Sequence, residues 1–404
     1  MAETVLPTAS RRSQLFGSLC LLVFLVNLGR VIYAPLLEPF RTTFDASAAE
    51  VGLLATLAWV GSASLRFPTG YLLTRYPRHR VVLLTGLVLA GASLFAAAAG
   101  TLSMLYVGAF LMGIASGMYF VAASPLVSEL FPTRVGRAIG IHGTSSQVAA
   151  VTAPLLVGAY FAVPWPIAAW RVVFLSISAA ALFATIALFV AAKRATLPEA
   201  GAADRRLLVA FRRQWPIVVT GVAIVGFTGL VWNGVFNFYV TYLVETKGFS
   251  ERRARTALTV LFAAGVPAFA LAGVVADRVR FVPLILALAG GFVASLFAVT
   301  YVEGVFAIFA VTAITGLLVH GLFPAVDTYL LASLPDENRA SAYALFSGTM
   351  MPIQATGSVI LGTLVDFGVA FDAAIRLFAA SIAALLAVAL VLYAAGRIPT
   401  GAND

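Results

Sequence analysis

Two short stretches decide the fold: GYLLTRYPRHR at Gly70–Arg80 and GVVADRVR at Gly273–Arg280. Each closes a long apolar run and ends in arginines. They stand 273 − 70 = 203 residues apart, half of a 404-residue chain. Basic punctuation repeated at half-chain spacing after apolar runs reads as a duplicated bundle of membrane-spanning helices. Among the differences between the copies, the first has Thr74 where the second has Asp277.

The composition agrees. The chain is 61% hydrophobic and 11% charged, whereas soluble domains are about a quarter charged. Its apolar runs have the length a bilayer demands, roughly 20 residues. Twelve are expected. Six lie near 14–37, 49–74, 81–100, 103–129, 139–162 and 168–192, and six near 214–245, 255–276, 281–301, 304–333, 341–365 and 373–396. The longest polar stretch, Lys193–Arg213, separates the sets. The expected domains are therefore an N-terminal bundle (1–192), a cytoplasmic linker (193–213) and a C-terminal bundle (214–404). Ser10-Arg11-Arg12 before an apolar run imitates a secretion signal, but the run continues to Leu37 and equal runs follow.

The net charge of +9 does not point to nucleic acid, because the cations sit in short loops between spans. One set of loops and termini carries 17 of them: Arg11, Arg12, Arg75, Arg78, Arg80, Arg134, Arg137, Lys193, Arg194, Arg205, Arg206, Arg212, Arg213, Arg278, Arg280, Arg339 and Arg397. The opposite set carries 7: Arg41, Arg171, Lys247, Arg252, Arg253, Arg255 and Arg376. The positive-inside rule then places both termini and the linker in the cytoplasm of a multi-pass plasma-membrane protein. Cys20 is alone, which rules out an internal disulfide or a cysteine-based metal site. The repeat extends further: Gly113 has Gly316 at the same offset, and Pro132 has Pro335. Ser47-Ala-Ala-Glu50 reads as a capping box opening the second span.

Taken together, these residues resemble the major facilitator superfamily of secondary transporters over essentially the whole chain. The specific element is the loop after spans two and eight, Gly-x-x-x-acid-Arg followed by basic residues. Gly273-Val-Val-Ala-Asp277-Arg278 matches it. Gly70 to Arg80 keeps the glycine and the basics but departs at Thr74 and Pro77. Trp170-Arg171 and Glu129-Leu-Phe-Pro132 are also family-like. The resemblance implies an all-α membrane fold, two pseudo-symmetric six-helix bundles rocking about a midplane site, with spans one, four, seven and ten lining the cavity. It makes Gly70, Arg75, Arg78, Arg80, Gly273, Asp277 and Arg278 the gating motif. Glycine there allows helices to approach closely, and Asp277 is suited to charge-assisted hydrogen bonds. The alternative is that these arginines only fix topology.

Ionisable groups within spans are functional candidates by default. Arg30 and Arg66 are the cationic ones, and Asn27 shares a face with Arg30 three residues on. Together they suggest a binding site for a small organic anion; the alternatives are structural pairing, for Arg30 with Glu38. The stretch around Arg66 resembles the nitrate/nitrite branch, but its repeat position is Phe269 rather than a second arginine. Asp327 and His320 lie seven apart on one face of the tenth span. They are candidates for proton coupling, with neutralisation of Arg30 or Arg66 as the alternative for Asp327. Tyr119, Gln147, Asn233, Asn237 and Gln354 complete the substrate-binding candidates; helix–helix hydrogen bonding is the competing role for the asparagines. The glycines of the family's antiporter signature are only partly kept in span five.

The sequence has no phosphate loop, HExxH or GxSxG. No cofactor and no metal is expected, and the expected partners are lipid, a small solute and a coupling ion such as H+. A monomer is expected. An amphiphile or drug exporter of the same superfamily, a membrane-embedded lipid-modifying enzyme using His320 and Asp327, and a non-transporting sensor are the rival functions.

Overall fold

The structure is a computed structural model that describes residues 9–131, 135–193, 207–276, 279–334 and 336–398. Asp277, Arg278, Pro132 and Pro335 lie outside the described residues, as do most of the residues of the expected linker. Among the described residues the regular structure is all helical. The first half comprises α1 (Ala9–Val31), a 3-10 turn (Ala34–Leu36), α2 (Leu37–Phe44), α3 (Ala48–Ser64), α4 (Arg66–Arg75), α5 (Arg78–Ala97), α6 (Leu102–Leu130), α7 (Val135–Phe161) and α8 (Ala169–Lys193). The second comprises α9 (Leu207–Gly221), a π segment (Val222–Gly226), α10 (Phe227–Glu245), α11 (Glu251–Ala263), α12 (Gly265–Ala276), α13 (Phe281–Tyr301), α14 (Val305–Ser333), α15 (Asp336–Ala355), α16 (Gly357–Asp366) and α17 (Phe371–Ala394). Joined across their breaks, these helices make six successive rods per half.

Among the described residues, nine rods are long and apolar enough to cross a membrane. The other three are α7, α11–α12 and α15–α16, each bearing charged or several polar side chains. The chain forms two compact units: residues 1–45 with 53–203, and residues 46–52 with 204–404.

Prolines place two of the breaks. Pro68 and Pro267 have no N–H for the carbonyls four residues earlier, Ser64 and Ala263, and those are the last residues of α3 and α11. The first break leaves Arg66 as the opening residue of α4. The capping box forms: Glu50 N–H donates to Ser47 Oγ (3.2 Å), and Ser47 N–H donates to Glu50 Oε2 (2.8 Å). The hydroxyls of Thr101 and Ser250 cap α6 and α11 by accepting from the N–H groups of Met104 and Arg253.

Within a bilayer, helices gain little by hiding apolar side chains from lipid and are held by close backbone packing. Glycine supplies it here. A Cβ on Gly113 of α6 would run into the Ala58 carbonyl oxygen of α3, and one on Gly316 of α14 into that of Leu261 of α11. Both members of this contact are offset by 203 (316 − 113 and 261 − 58), so the duplication holds at the level of packing. A second pair repeats at the helix ends. Arg171 donates to the carbonyls of Ala97 (2.5 Å) and Ala99 (2.8 Å), where α5 finishes. Its counterpart Arg376 donates to Thr300 Oγ1 (3.0 Å) near the end of α13. Gly70 behaves otherwise than expected: a Cβ there would meet nothing within 4 Å. Close approach of a neighbouring helix is not the reason for that glycine in this conformation.

Candidate functional site

In the first unit, the polar centre is built on Arg30 of α1. Its Nη2 donates to Asn27 Oδ1 (2.6 Å), one turn back on the same helix. Asn27 Nδ2 in turn donates to the Ser146 carbonyl of α7 (2.6 Å), which ties α1 to α7 and fixes the arginine's rotamer. The guanidinium lies 4.2 Å from the ring centroid of Trp59 on α3 and 5.6 Å from that of Phe120 on α6. A cation on desolvated aromatic faces gains about 2 kcal/mol, less than it loses on leaving water. Arg66, opening α4, lies within electrostatic reach of Arg30. Glu38, the expected structural partner of Arg30, lies 3.5 Å from Arg41. Among the described residues Arg30 has no carboxylate at ion-pair distance. Trp59 of α3 and Phe120 of α6 were not singled out from the sequence.

Tyr119 is fully buried and its hydroxyl donates to the Leu19 carbonyl (2.6 Å). A hydroxyl has one proton, so His142 Nε2, 2.9 Å away, must be the donor to it. His142 stacks on the tyrosine ring (centroids 5.8 Å apart) and is a polar group that the sequence pattern did not single out. Gln147, one turn beyond Gly143 on α7, is half-buried. On one side of this centre, a groove of about 390 Å³ opens between α1 and α7, lined by Cys20, Leu21, Phe24, Ile141, Thr144, Ser145 and Val148.

In the second unit, the candidate amides join α10 to α15 and α16. Asn237 Nδ2 donates to Ser358 Oγ (2.9 Å), whose hydroxyl donates to the Asn233 carbonyl (3.1 Å). Asn233 Nδ2 donates to the Gly229 carbonyl (2.9 Å). Gln354 Nε2 donates to the carbonyl of Val225 in the π segment (3.0 Å). His320 Nδ1 donates to the Gly316 carbonyl (2.7 Å), and the ring stands edge-on to Trp232 (5.1 Å) and Phe262 (6.0 Å). Asp327 is half-buried two turns further along α14. At the gating loop, Arg78 forms an ion pair with Glu129. Arg75 lies over Tyr71 (4.7 Å), and Arg80 is exposed.

The fold is a helical bundle duplicated in half, with the half-buried cations Arg30 and Arg66 in its first half. Residues 19–301 match the Major Facilitator Superfamily, and the chain belongs to it. It is 26% identical over 289 residues to the probable sulfoacetate transporter SauU of Cupriavidus necator; that stretch is 66% of this chain and spans 65% of the relative's length. Among solved structures it is similar to a bacterial homologue of the human lysosomal transporter Spinster, with a TM-score of 0.78, 18% identity and coverage of 96% of this chain and 97% of that one. The inward-open xylose transporter XylE from E. coli gives a TM-score of 0.77 at 14% identity, covering 97% of this chain and 98% of that one. These likenesses establish the fold. Members of the family are transporters, so the reading as a lipid-modifying enzyme is set aside.

Proposed function

We propose that the protein is a secondary transporter for a small organic anion, coupled to an ion gradient and working by alternating access. The observation that carries this reading is Arg30: half-buried, oriented by Asn27, framed by two aromatic rings and, among the described residues, without a carboxylate at ion-pair distance. A charge held in a membrane span without an ion-pair partner is costly, and an incoming carboxylate or sulfonate would supply the missing charge. Arg66 adds a second cation within electrostatic reach. The name of the Cupriavidus relative, a probable sulfoacetate transporter, supports the same substrate class. Gln147 and Asn27 are the proposed neutral contacts beside Arg30 in the first unit; within the second unit, Asn233, Asn237 and Gln354 are proposed as solute-binding amides and Asp327 with His320 as the proton-coupling pair. The 17-to-7 division of cations supports a cytoplasmic position for both termini.

Ligands of the native state raise its stability. The test is a thermal-unfolding screen of the purified transporter against small sulfonates, carboxylates, neutral sugars and cationic amphiphiles. The expected result is an anion-specific rise in Tm that Arg30→Ala abolishes. A rise with sugars or amphiphiles only, or one that Arg30→Ala leaves intact, contradicts the proposal.

A further inference from the structure

Arg171 and Arg376 hold corresponding places, each near the start of the last helix of its unit, but they spend their guanidinium groups differently. Arg171 uses both terminal nitrogens on the carbonyls of Ala97 and Ala99. Arg376 donates through Nε to Thr300 Oγ1 (3.0 Å), and its guanidinium lies over the exposed ring of Tyr301, 4.2 Å from the centroid. The one carboxylate on its own helix, Asp372, accepts from the Tyr242 hydroxyl (2.7 Å) and lies 3.6 Å from Lys247 Nζ. Lys247 offsets Asp372, and Arg376 is left over. Among the described residues it has no carboxylate at ion-pair distance, and no hydrogen bond occupies its Nη1 or Nη2. A planar fork with both prongs unspent matches two phosphate oxygens at once.

An apolar groove leads away from this fork. Between α13 and α17 it measures about 340 Å³ and is lined by Leu286, Gly290 and Val293 of α13 and by Ala383, Ala387 and Leu390 of α17. On α17 these positions follow Arg376 by 7, 11 and 14 residues; on α13 they precede Thr300 by 14, 10 and 7. Each set is one helix face, so fork and groove share a single seam. A Cβ on Gly290 would meet nothing within 4 Å, and no neighbouring helix fills the groove there. From Arg376 to Leu390 the helix rises by about 21 Å. One leaflet with its headgroups is about 20–22 Å thick. Tyr301 and Phe306, at the end of α13 and the start of α14, are exposed, as aromatic side chains are at a membrane interface.

We propose that the α13–α17 seam of the second unit binds an acidic phospholipid, the Arg376 fork taking its phosphodiester and the groove one acyl chain. The groove alone would accept any hydrocarbon, and the cation alone any anion. A lipid with a net negative headgroup satisfies both, at the spacing of one leaflet. A zwitterionic lipid brings its own ammonium and leaves the charge of Arg376 uncompensated. The site lies wholly within the second unit and does not depend on which solute is carried.

The test is native mass spectrometry of the purified protein in detergent, titrated with dioleoyl phosphatidylglycerol or dioleoyl phosphatidylcholine. Glycerophosphoglycerol, the same headgroup without chains, and inorganic phosphate serve as competitors. The expected result is a first phosphatidylglycerol bound about tenfold more tightly than phosphatidylcholine and displaced by neither competitor. Arg376→Gln is expected to weaken it about tenfold, the scale of a lost hydrogen bond to a charged group. Gly290→Leu fills open space in the groove and is expected to weaken it similarly, by excluding a few methylenes. Equal affinity for the two lipids overturns the acidic headgroup, and displacement by either competitor overturns a lipid as the occupant. Phosphatidylglycerol affinity unchanged in Gly290→Leu overturns the site itself. That variant removes no hydrogen bond, so it decides the matter even if Arg376→Gln fails to fold.

Discussion

Asn27 shows how one amide can serve two purposes at the scale of a residue. Its Nδ2 fastens α1 to α7, and its Oδ1 aims Arg30. The Arg30–Asn27 pair was legible because three residues in a helix share a face. Trp59 and Phe120 were not, since two rings among 30 phenylalanines and 5 tryptophans carry no mark of which cation they face. Asp327 was legible as a charge inside a span, but its role rests on movement of a proton. If it carries the coupling proton, Asp327→Asn abolishes substrate accumulation on an imposed pH gradient while exchange without a gradient survives. Accumulation that persists in Asp327→Asn removes Asp327 from the coupling mechanism.

Among the elements, glycine placement divides sharply. A Cβ on Gly357 would run into the Leu230 carbonyl oxygen of α10, while Gly70 has open space. Gly357→Ala must push two helix backbones apart, at a cost of about 1–3 kcal/mol. Gly70→Ala relieves helix entropy worth about 0.5–1 kcal/mol. Thermal unfolding should therefore show a lower Tm for Gly357→Ala and an equal or higher one for Gly70→Ala. Equal losses in both would refute the packing argument. The breaks before Pro68 and Pro267 were passed over, since the spans near 49–74 and 255–276 were read as continuous, although a proline has no N–H for the carbonyl four residues earlier. The π segment at Val222–Gly226 was not legible, because its extra residue per turn leaves no periodic trace in an all-apolar stretch. Its partner Gln354 therefore looked like a free amide, and the structure shows that amide tied to Val225.

Across the whole molecule, a duplication first visible as two arginine-rich loops recurs in contacts: Gly113 with Ala58 and Gly316 with Leu261, Arg171 with α5 and Arg376 with α13. Fold class followed from apolar run length and that offset, because bilayer thickness constrains them directly. The substrate does not follow from the same features, since related bundles differ in a few side chains. Asymmetry is where function would enter, and Arg30 has Asn233 as its counterpart 203 residues on. One half thus offers a cation where the other offers an amide. The most direct measurement is uptake of radiolabelled small sulfonates and carboxylates by proteoliposomes holding the wild type or Arg30→Ala. The account predicts saturable anion uptake by the wild type and a half-saturating concentration raised by about 10- to 100-fold in Arg30→Ala, the worth of about 1.5–3 kcal/mol for a hydrogen bond to a charged group. Anion uptake unchanged by Arg30→Ala, or wild-type uptake confined to neutral or cationic solutes, would contradict it.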